Sequence, residues 1–356
     1  IDVIATAGTG TGGAAGAGGT ANAGTGLSLF PGTPGIAGDP GLDGTGTNGS
    51  SSITVGNSGV VDVDGIGVKA STVGDNGTIQ INNTGGTITG GMGGVFVATD
   101  LAFAGNSDID IVNSGLITSG DLLVAAAIDA KGASAELRNA GTVLGFIDLT
   151  ELDDTVDNEA GGVFAARGTS DFRGGVDQLN NAGTVHTAGD PLADEDVVFK
   201  DLEGFGNSGW ISLVDGAAGD SFTLKGTAYE STGGRLAVDA ALGPSGKSDL
   251  LIFDGVGAST NGVTRVSVNV TGVSGANTDG ITVAEAINGA ITHDGDFALD
   301  GGTFNAGFYT WDMRRDGDTF ELFTSGVGGA GAHEFAAGMT AAQDIWYQTT
   351  GTLLQR

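Results

Sequence analysis

The chain contains no cysteine, which excludes disulfides, thiol catalysis and cysteine-ligated metals. Proline is scarce at 5 residues, and basic side chains number only 13 against 43 acidic ones, a formal net charge of −30. A phosphate backbone demands clustered Lys and Arg, so nucleic acid is not a partner of such a chain. An anionic membrane face repels it for the same reason. No apolar run reaches the ~18 residues that a transmembrane helix requires, so no direct membrane span is expected. Charged residues make up only 16% of the sequence and hydrophobic ones 39%, enough Val, Ile, Leu and Phe for a packed core. Glycine is abundant, with 69 residues in 356, yet no sustained Gly-X-Y period accompanies it. Small and β-branched residues in this proportion favour short strands joined by tight turns. The start at Ile1-Asp2-Val3, without an initiator Met or a signal peptide, reads as a processed piece of a longer precursor.

One pattern recurs: Asn, small residues and Gly, then β-branched or apolar residues. It stands at Asn57-Ser58-Gly59, Asn83-Thr84-Gly85, Asn113-Ser114-Gly115 and Asn139-Ala140-Gly141. It returns at Asn158-Glu159-Ala160-Gly161, Asn181-Ala182-Gly183 and Asn207-Ser208-Gly209. The asparagines are 26, 30, 26, 19, 23 and 26 residues apart, which signals a repeat architecture. Alternating stretches such as Ile53-Thr54-Val55, Ile79-Gln80-Ile81 and Ile109-Asp110-Ile111 precede them, the period-2 mark of a strand. Asn and Gly suit the turn because both tolerate positive φ. The expected fold is therefore all-β, a right-handed, three-sided parallel β-helix with inward columns of apolar side chains. Its turn asparagines are expected to stack as a hydrogen-bonded ladder. At about 4.8 Å per coil, residues 50–323 would form about eleven coils, on the order of 50 Å.

Four regions emerge. Residues 1–50 are Gly/Ala-rich, with Gly at 32, 35, 38, 41 and 44, and read as an irregular segment or as first coils. Residues 51–204 hold the repeats. Over 205–325 the strands lengthen, with candidates at 220–229, 234–242, 248–256, 264–273, 280–287 and 307–323. In the last of these, Asp316-Gly317 makes a hairpin turn between 309–313 and 319–323, a β-hairpin cap. Residues 326–356 carry Phe335, Met339, Ala342, Trp346 and Leu353 at helical spacing, a short amphipathic helix.

The third region resembles the autochaperone region that closes autotransporter passengers of the pertactin-like and AIDA-like kind. The resemblance spans about residues 205–325. It rests on Gly219-Asp220-Ser221-Phe222-Thr223-Leu224, Gly234-Arg235-Leu236-Ala237-Val238-Asp239 and Ser248-Asp249-Leu250-Leu251-Ile252-Phe253-Asp254-Gly255. It continues through Thr264-Arg265-Val266-Ser267-Val268-Asn269-Val270, Gly280-Ile281-Thr282-Val283-Ala284-Glu285 and Gly307-Phe308-Tyr309-Thr310-Trp311. The aromatic residues around 320–323 are fewer than the family pattern has. The resemblance implies type V secretion, an outer-membrane barrel in the precursor, display at the surface of a Gram-negative cell and folding that starts from this segment. The helix after it resembles the linker toward that barrel. Trp210, Phe222, Tyr229, Phe253, Phe308, Tyr309 and Trp311 suit a dense terminal cap.

Candidate chemistry is sparse. Gly219-Asp220-Ser221 is similar to a serine-nucleophile motif, but a turn entering the strand Phe222-Thr223-Leu224 is the preferred account of it. A serine nucleophile needs a base, and His186, His293 and His333 sit in no recognisable motif. Pectin-lyase-like enzymes share the β-helix and use paired aspartates; here Asp108 and Asp110 share a strand face and Asp153 adjoins Asp154. Acidic clusters occur at Asp62 and Asp64, at Asp148, Glu151, Asp153, Asp154 and Asp157, and at Asp190, Asp194, Glu195 and Asp196. Hard oxygen ligands suit calcium, and the Asp148–Asp157 group is the calcium candidate, in a loop expected to bulge from the solenoid. No other cofactor is indicated. The expected function is that of a non-catalytic surface passenger, an adhesin or matrix component. Its partners would be a host or neighbouring cell surface, polysaccharide or copies of itself. A polysaccharide-active or esterase passenger and a self-assembling fibre or surface-layer subunit are the alternatives.

Overall fold

The computed structural model describes residues 1–6, 51–73, 76–187, 189–327 and 330–354; the expectation for residues 7–50 lies outside them. The chain winds through three sheets in a repeating order, so that strands sequential within a sheet are about one coil apart in sequence. The first sheet runs from Asp2–Thr6 and Ile66–Val73 to Ile281–Ile287, parallel throughout that stretch. The second has nine strands, from Ser52–Asn57 to Ser259–Asn261, and the third begins at Val60–Val63 and ends at Phe297–Leu299. Three parallel sheets sharing one interior make the three-sided β-helix that the repeats predict.

Register is fixed by what points inward, since a slip of one residue would turn every core side chain to solvent. In the second sheet one inward column reads Val55, Ile81, Ile111, Leu137, Val156, Leu179, Phe205, Tyr229, by direct pairing of each with the next. In the third, Ile88, Ile117, Val143, Phe164, Val185, Ile211 and Leu236 stack in the same way. The columns change character along the axis, from branched aliphatics to rings. Phe199 meets Phe222 edge-on at 4.8 Å, and Phe205, Tyr229, Phe253, Phe297 and Phe320 follow one another at 4.9–6.1 Å. Edge-to-face pairs of this kind add about 0.5–1.5 kcal/mol each beyond burial. Of the expected aromatic cap residues, Phe222, Tyr229, Phe253 and Trp311 are buried, whereas Trp210 and Phe308 face outward at 37% and 49% exposure.

Among the described residues the second sheet counts nine coils rather than about eleven. Part of the shortfall lies at the C-terminal end. Residues 304–327 do not coil; Phe304–Ala306, Tyr309–Asp316 and Thr319–Val327 fold back as antiparallel strands on the end of the first sheet. Asp316 pairs with Thr319, so the two loop residues are Gly317 and Asp318, with Gly317 at φ +60°. That is the hairpin geometry with glycine in the first loop position, one residue later than Asp316-Gly317 suggests. The terminal helix Ala330–Leu354 is longer than a short helix, at 25 residues. Phe335, Met339 and Trp346 are exposed on it, and Phe335 touches the Phe308 ring at 5.9 Å. No helix among the described residues is long and apolar enough to cross a membrane.

Candidate functional site

The recurrent asparagines form one continuous ladder along the corner between the second and third sheets. Nδ2 of Asn57, Asn83, Asn113, Asn139, Asn158 and Asn181 each donates to Oδ1 of the next, at 2.7–2.9 Å. Each of these Nδ2 groups also donates to a backbone carbonyl one coil on, such as Leu116 O and Thr142 O. From Asn83 to Asn207 the ladder is buried, so its amides serve one another in place of water. At the next coil the sequence has Ser231, too short to continue. The Tyr229 hydroxyl accepts from Asn207 Nδ2 at 3.0 Å and reaches Thr264 Oγ1 at 3.0 Å, closing the ladder.

Gly85 and Gly161 have the positive φ expected of the turn, but four other repeat glycines work differently. Gly115, Gly141, Gly183 and Gly209 do not have positive φ. A Cβ on Gly115 would lie 1.9 Å from Gly86 O, and one on Gly141 would lie 2.2 Å from Gly115 O. The backbone of one coil rests on that of the last, and only glycine leaves room.

The five calcium candidates are dispersed by their partners. Asp148 takes both Arg173 Nε and Nη2, at 2.6 and 2.7 Å, and this bonding raises the Arg173 pKa. Glu151 reaches the same guanidinium at 3.5 Å. Asp153 accepts Val176 N–H, and Asp157 accepts Asn180 Nδ2 at 2.8 Å. Asp154 is 1% exposed and accepts from Ala135 N, Thr150 N and Thr150 Oγ1. Among the described residues no group of three or more His, Asp or Glu is placed to hold a metal ion. The loop does not bulge either. The spacing of 19 is a short coil, drawn tight by Asp154 capping the backbone of its neighbours.

The remaining candidates part in the same way. Ser221 opens the strand Ser221–Lys225, and its hydroxyl donates to Asp196 Oδ1 at 2.5 Å. His186 has Nε2 3.4 Å from Val214 O, and burial lowers its pKa. His293 lies against Thr260 O and Asp296, and the His333 side chain is outside the described residues. Asp110 shares an outward face with Asp108, as the alternation predicts, but it holds Gln80 and Arg138. Asp194 pairs with Lys247 and Glu195 with Arg167. Asp62 lies exposed on Val60–Val63, with Asp64 just beyond that strand.

Sequence reasoning missed a set of buried acids at two other corners. Asp177 Oδ1 accepts Asp154 N–H, and Asp177 N–H donates to Glu203. Asp220 accepts Glu195 N–H, while Asp249 accepts Gly219, Asp220 and Asp239 N–H. Burial pushes Asp177 and Asp249 up to about 7 and Asp220 up to about 6. Their signal was weak, because an aspartate between turn residues reads as solvated.

The second sheet's outward face carries a groove of about 450 Å³. Asp157, Gln178 and Asn180 form one wall, Glu230 and Thr232 the other, and Gly206 lies between. Gln178 Nε2 donates to Asn180 Oδ1 at 3.2 Å, and Asn180 donates on to Asp157. Gly204 and Gly206 occupy both outward positions of one strand, a Gly-Phe-Gly alternation that the sequence shows plainly.

The parallel β-helix is thus closed by an antiparallel hairpin and a ring-packed terminal third. Residues 207–313 match the family model described as autochaperone domain type 1. The chain thus carries an autochaperone domain at the C-terminal side of the helix, which fits an exported, surface-exposed autotransporter passenger of a Gram-negative bacterium. Such a passenger implies an outer-membrane barrel in the precursor. A solved structure that it resembles is the Haemophilus influenzae Hap adhesin, at 12% identity and a TM-score of 0.25. That match covers 77% of this chain and 33% of the other, so the chain spans about one third of the Hap chain. No curated protein matches the chain.

Proposed function

We propose that this passenger is a non-catalytic adhesive or structural element of the cell surface, working through its faces and loops. The observation that carries the reading is the continuity of the solenoid. The ladder from Asn57 to Asn207 runs unbroken into Tyr229, giving a stiff rod. A rod of nine coils holds a contact surface about 40 Å long away from its anchor. The charge of −30 keeps such rods soluble and sets them against anionic surfaces at low salt. Neighbouring cell surfaces, polysaccharide or further copies of the chain are the partners that fit. The carboxylates expected of a hydrolase are engaged with Arg173, Arg138 or backbone N–H groups, which supports contact over bond chemistry.

Residues 207–313 act as the folding nucleus in this proposal. Coils gain most of their stability from neighbours, so a solenoid grows from whichever end is stable alone. The ring column of Tyr229, Phe253, Phe297 and Phe320, locked under the hairpin, supplies that end. The test is display of residues 1–356 on an outer-membrane barrel in a non-adherent host. Gain of attachment or cell–cell aggregation without turnover of polysaccharide or ester substrates is expected. Turnover of such a substrate, with no gain of attachment, would overturn the proposal.

A further inference from the structure

Among the described residues, the strands of the third sheet turn no ionised side chain outward through six successive coils. One outward column reads Thr87, Leu116, Thr142, Val163, Thr184 and Trp210, each paired directly with the next. Beside it run Thr89, Thr118, Leu144, Ala165, His186 and Ser212. Burial lowers the His186 pKa, which leaves that ring neutral at pH 7. The other two sheets differ. The first turns Asp129, Asp148 and Asp171 outward in adjacent coils, and the second does the same with Asp110 and Glu136. In a chain of net charge −30, two copies repel wherever such carboxylates face one another. The third sheet offers a face on which they can meet.

The two ends of that face carry opposite charges. Asp62 pairs with Thr89 from the coil before it, and Asp64 follows just beyond the strand. Both are exposed, and neither joins an ion pair among the described residues. At the other end, Arg235 and Arg265 continue the Trp210 column. Arg235 is occupied: it lies over the Trp210 ring at 5.1 Å and pairs with Asp300 at 2.8 Å. Arg265 is exposed and joins no ion pair among the described residues. Asp62 stands on the first strand of the sheet and Arg265 on the ninth, about 40 Å apart at one strand spacing per coil. The fifth strand, Val163–Ala165, lies midway.

We infer that the outward face of the third sheet pairs with the same face of a second copy, the two rods antiparallel about a two-fold axis at Val163. Antiparallel alignment brings Asp62 and Asp64 of each copy to Arg265 of the other. Parallel alignment sets like charge against like at both ends, which is unfavourable. The contact is self-complementary, as a two-fold interface requires. This deepens the adhesive reading and rests on it, with a second copy of the chain as the partner. Rods anchored on one surface stand parallel, so antiparallel pairing joins rods from facing surfaces. A face about 40 Å long and about 10 Å wide buries roughly 800 Å² over both copies, below the ~1,200–2,000 Å² of a stable complex. Free chains therefore pair weakly, and arrays of displayed chains hold by number.

The experiment is disulfide capture of the free chain, which has no cysteine of its own. Val163→Cys places a thiol on the axis, where it meets its own copy. Thr155→Cys places one on the outward face of the second sheet in the same coil, also half-buried. With oxidised glutathione as the oxidant, Val163→Cys should form covalent dimers about tenfold faster than Thr155→Cys. In the Val163→Cys chain, Arg265→Asp should slow capture about tenfold, and so should Asp62→Arg with Asp64→Arg. All three charge changes together should restore the rate, an outcome that general repulsion or lost folding cannot give. Thermal midpoints should match across the variants, since none alters a buried side chain. Capture by Val163→Cys no faster than by Thr155→Cys overturns the interface. Fast capture that ignores the charge changes, or that the combined reversal fails to restore, overturns the antiparallel alignment. Failed capture with attachment retained in the display assay removes this face and leaves the adhesive reading with another partner. Successful capture with no attachment keeps the face and removes that reading.

Discussion

Asn139→Ala cuts the asparagine ladder at its centre. The side chain is 1% exposed and makes four bonds. Its Nδ2 donates to Asn158 Oδ1 at 2.8 Å and Val163 O at 3.1 Å; its Oδ1 accepts from Asn113 Nδ2 at 2.8 Å and Gly141 N at 3.2 Å. Removal leaves Asn158 Oδ1 buried without that donor and takes one acceptor from Asn113. An orphaned buried acceptor costs about 1–3 kcal/mol and each of the three further lost bonds about 0.5–1.5, so the sum is roughly 2.5–7.5 kcal/mol. Asn57→Ala is the control, since it ends the ladder, is only half-buried and should cost about 0.5–1.5 kcal/mol. A solenoid need not unfold in one step, so a global midpoint is the wrong readout. Hydrogen exchange in Ala135–Asn139 and Thr155–Asn158 reports the coil itself. Exchange there should accelerate by between about 60-fold and about 10⁵-fold, at tenfold per 1.4 kcal/mol. If Asn139→Ala and Asn57→Ala differ by less than threefold, the ladder contributes packing shape and not hydrogen bonding.

Gly141→Ala should destabilise the same coils by several kcal/mol, as overpacking against Gly115 O, while Gly206→Ala should change stability by less than about 1 kcal/mol; urea-gradient proteolysis compares them. Asp177, Asp220 and Asp249 have folded pKa values above the unfolded carboxylate range. Their stabilising contribution is complete below about pH 4 and is lost as pH rises through 6 to 7. The thermal midpoint should therefore be higher at pH 5 than at pH 8, and Asp249→Asn should flatten that slope; a chain more stable at pH 8 contradicts the sign. Calcium at the Asp148–Asp157 group is tested by the midpoint with and without millimolar calcium, where the Arg173 pairing predicts no shift in the native chain. Deleting 207–313 should leave the remaining coils protease-sensitive after refolding, and unchanged resistance would remove the nucleation role.

The sequence carried its own fold because the solenoid is nearly one-dimensional. Asparagine recurrence set the coil, and alternation in Ile79-Gln80-Ile81 set which side chains face inward, so neighbours in space follow from neighbours one repeat apart. The cap was partly legible: the strand 264–273 and the hairpin could be read, but not that residues 304–327 leave the helical path. Aromatic identity alone did not separate Phe253, inside, from Phe308, outside.

What a side chain is bonded to depends on the residue a coil away, and that pairing exists only after winding. Asp154 reads from the sequence as a calcium candidate, and only the winding of the chain sets its carboxylate to cap Ala135 and Thr150. Gly115, Gly141, Gly183 and Gly209 looked like turn formers, and stacking shows them to be spacers. Local sequence determined period, face and inward column. The tertiary structure decided which carboxylates are occupied, which glycines are compelled and which are not, because contacts between coils are set by register across about twenty-five residues and not by any residue's own neighbours.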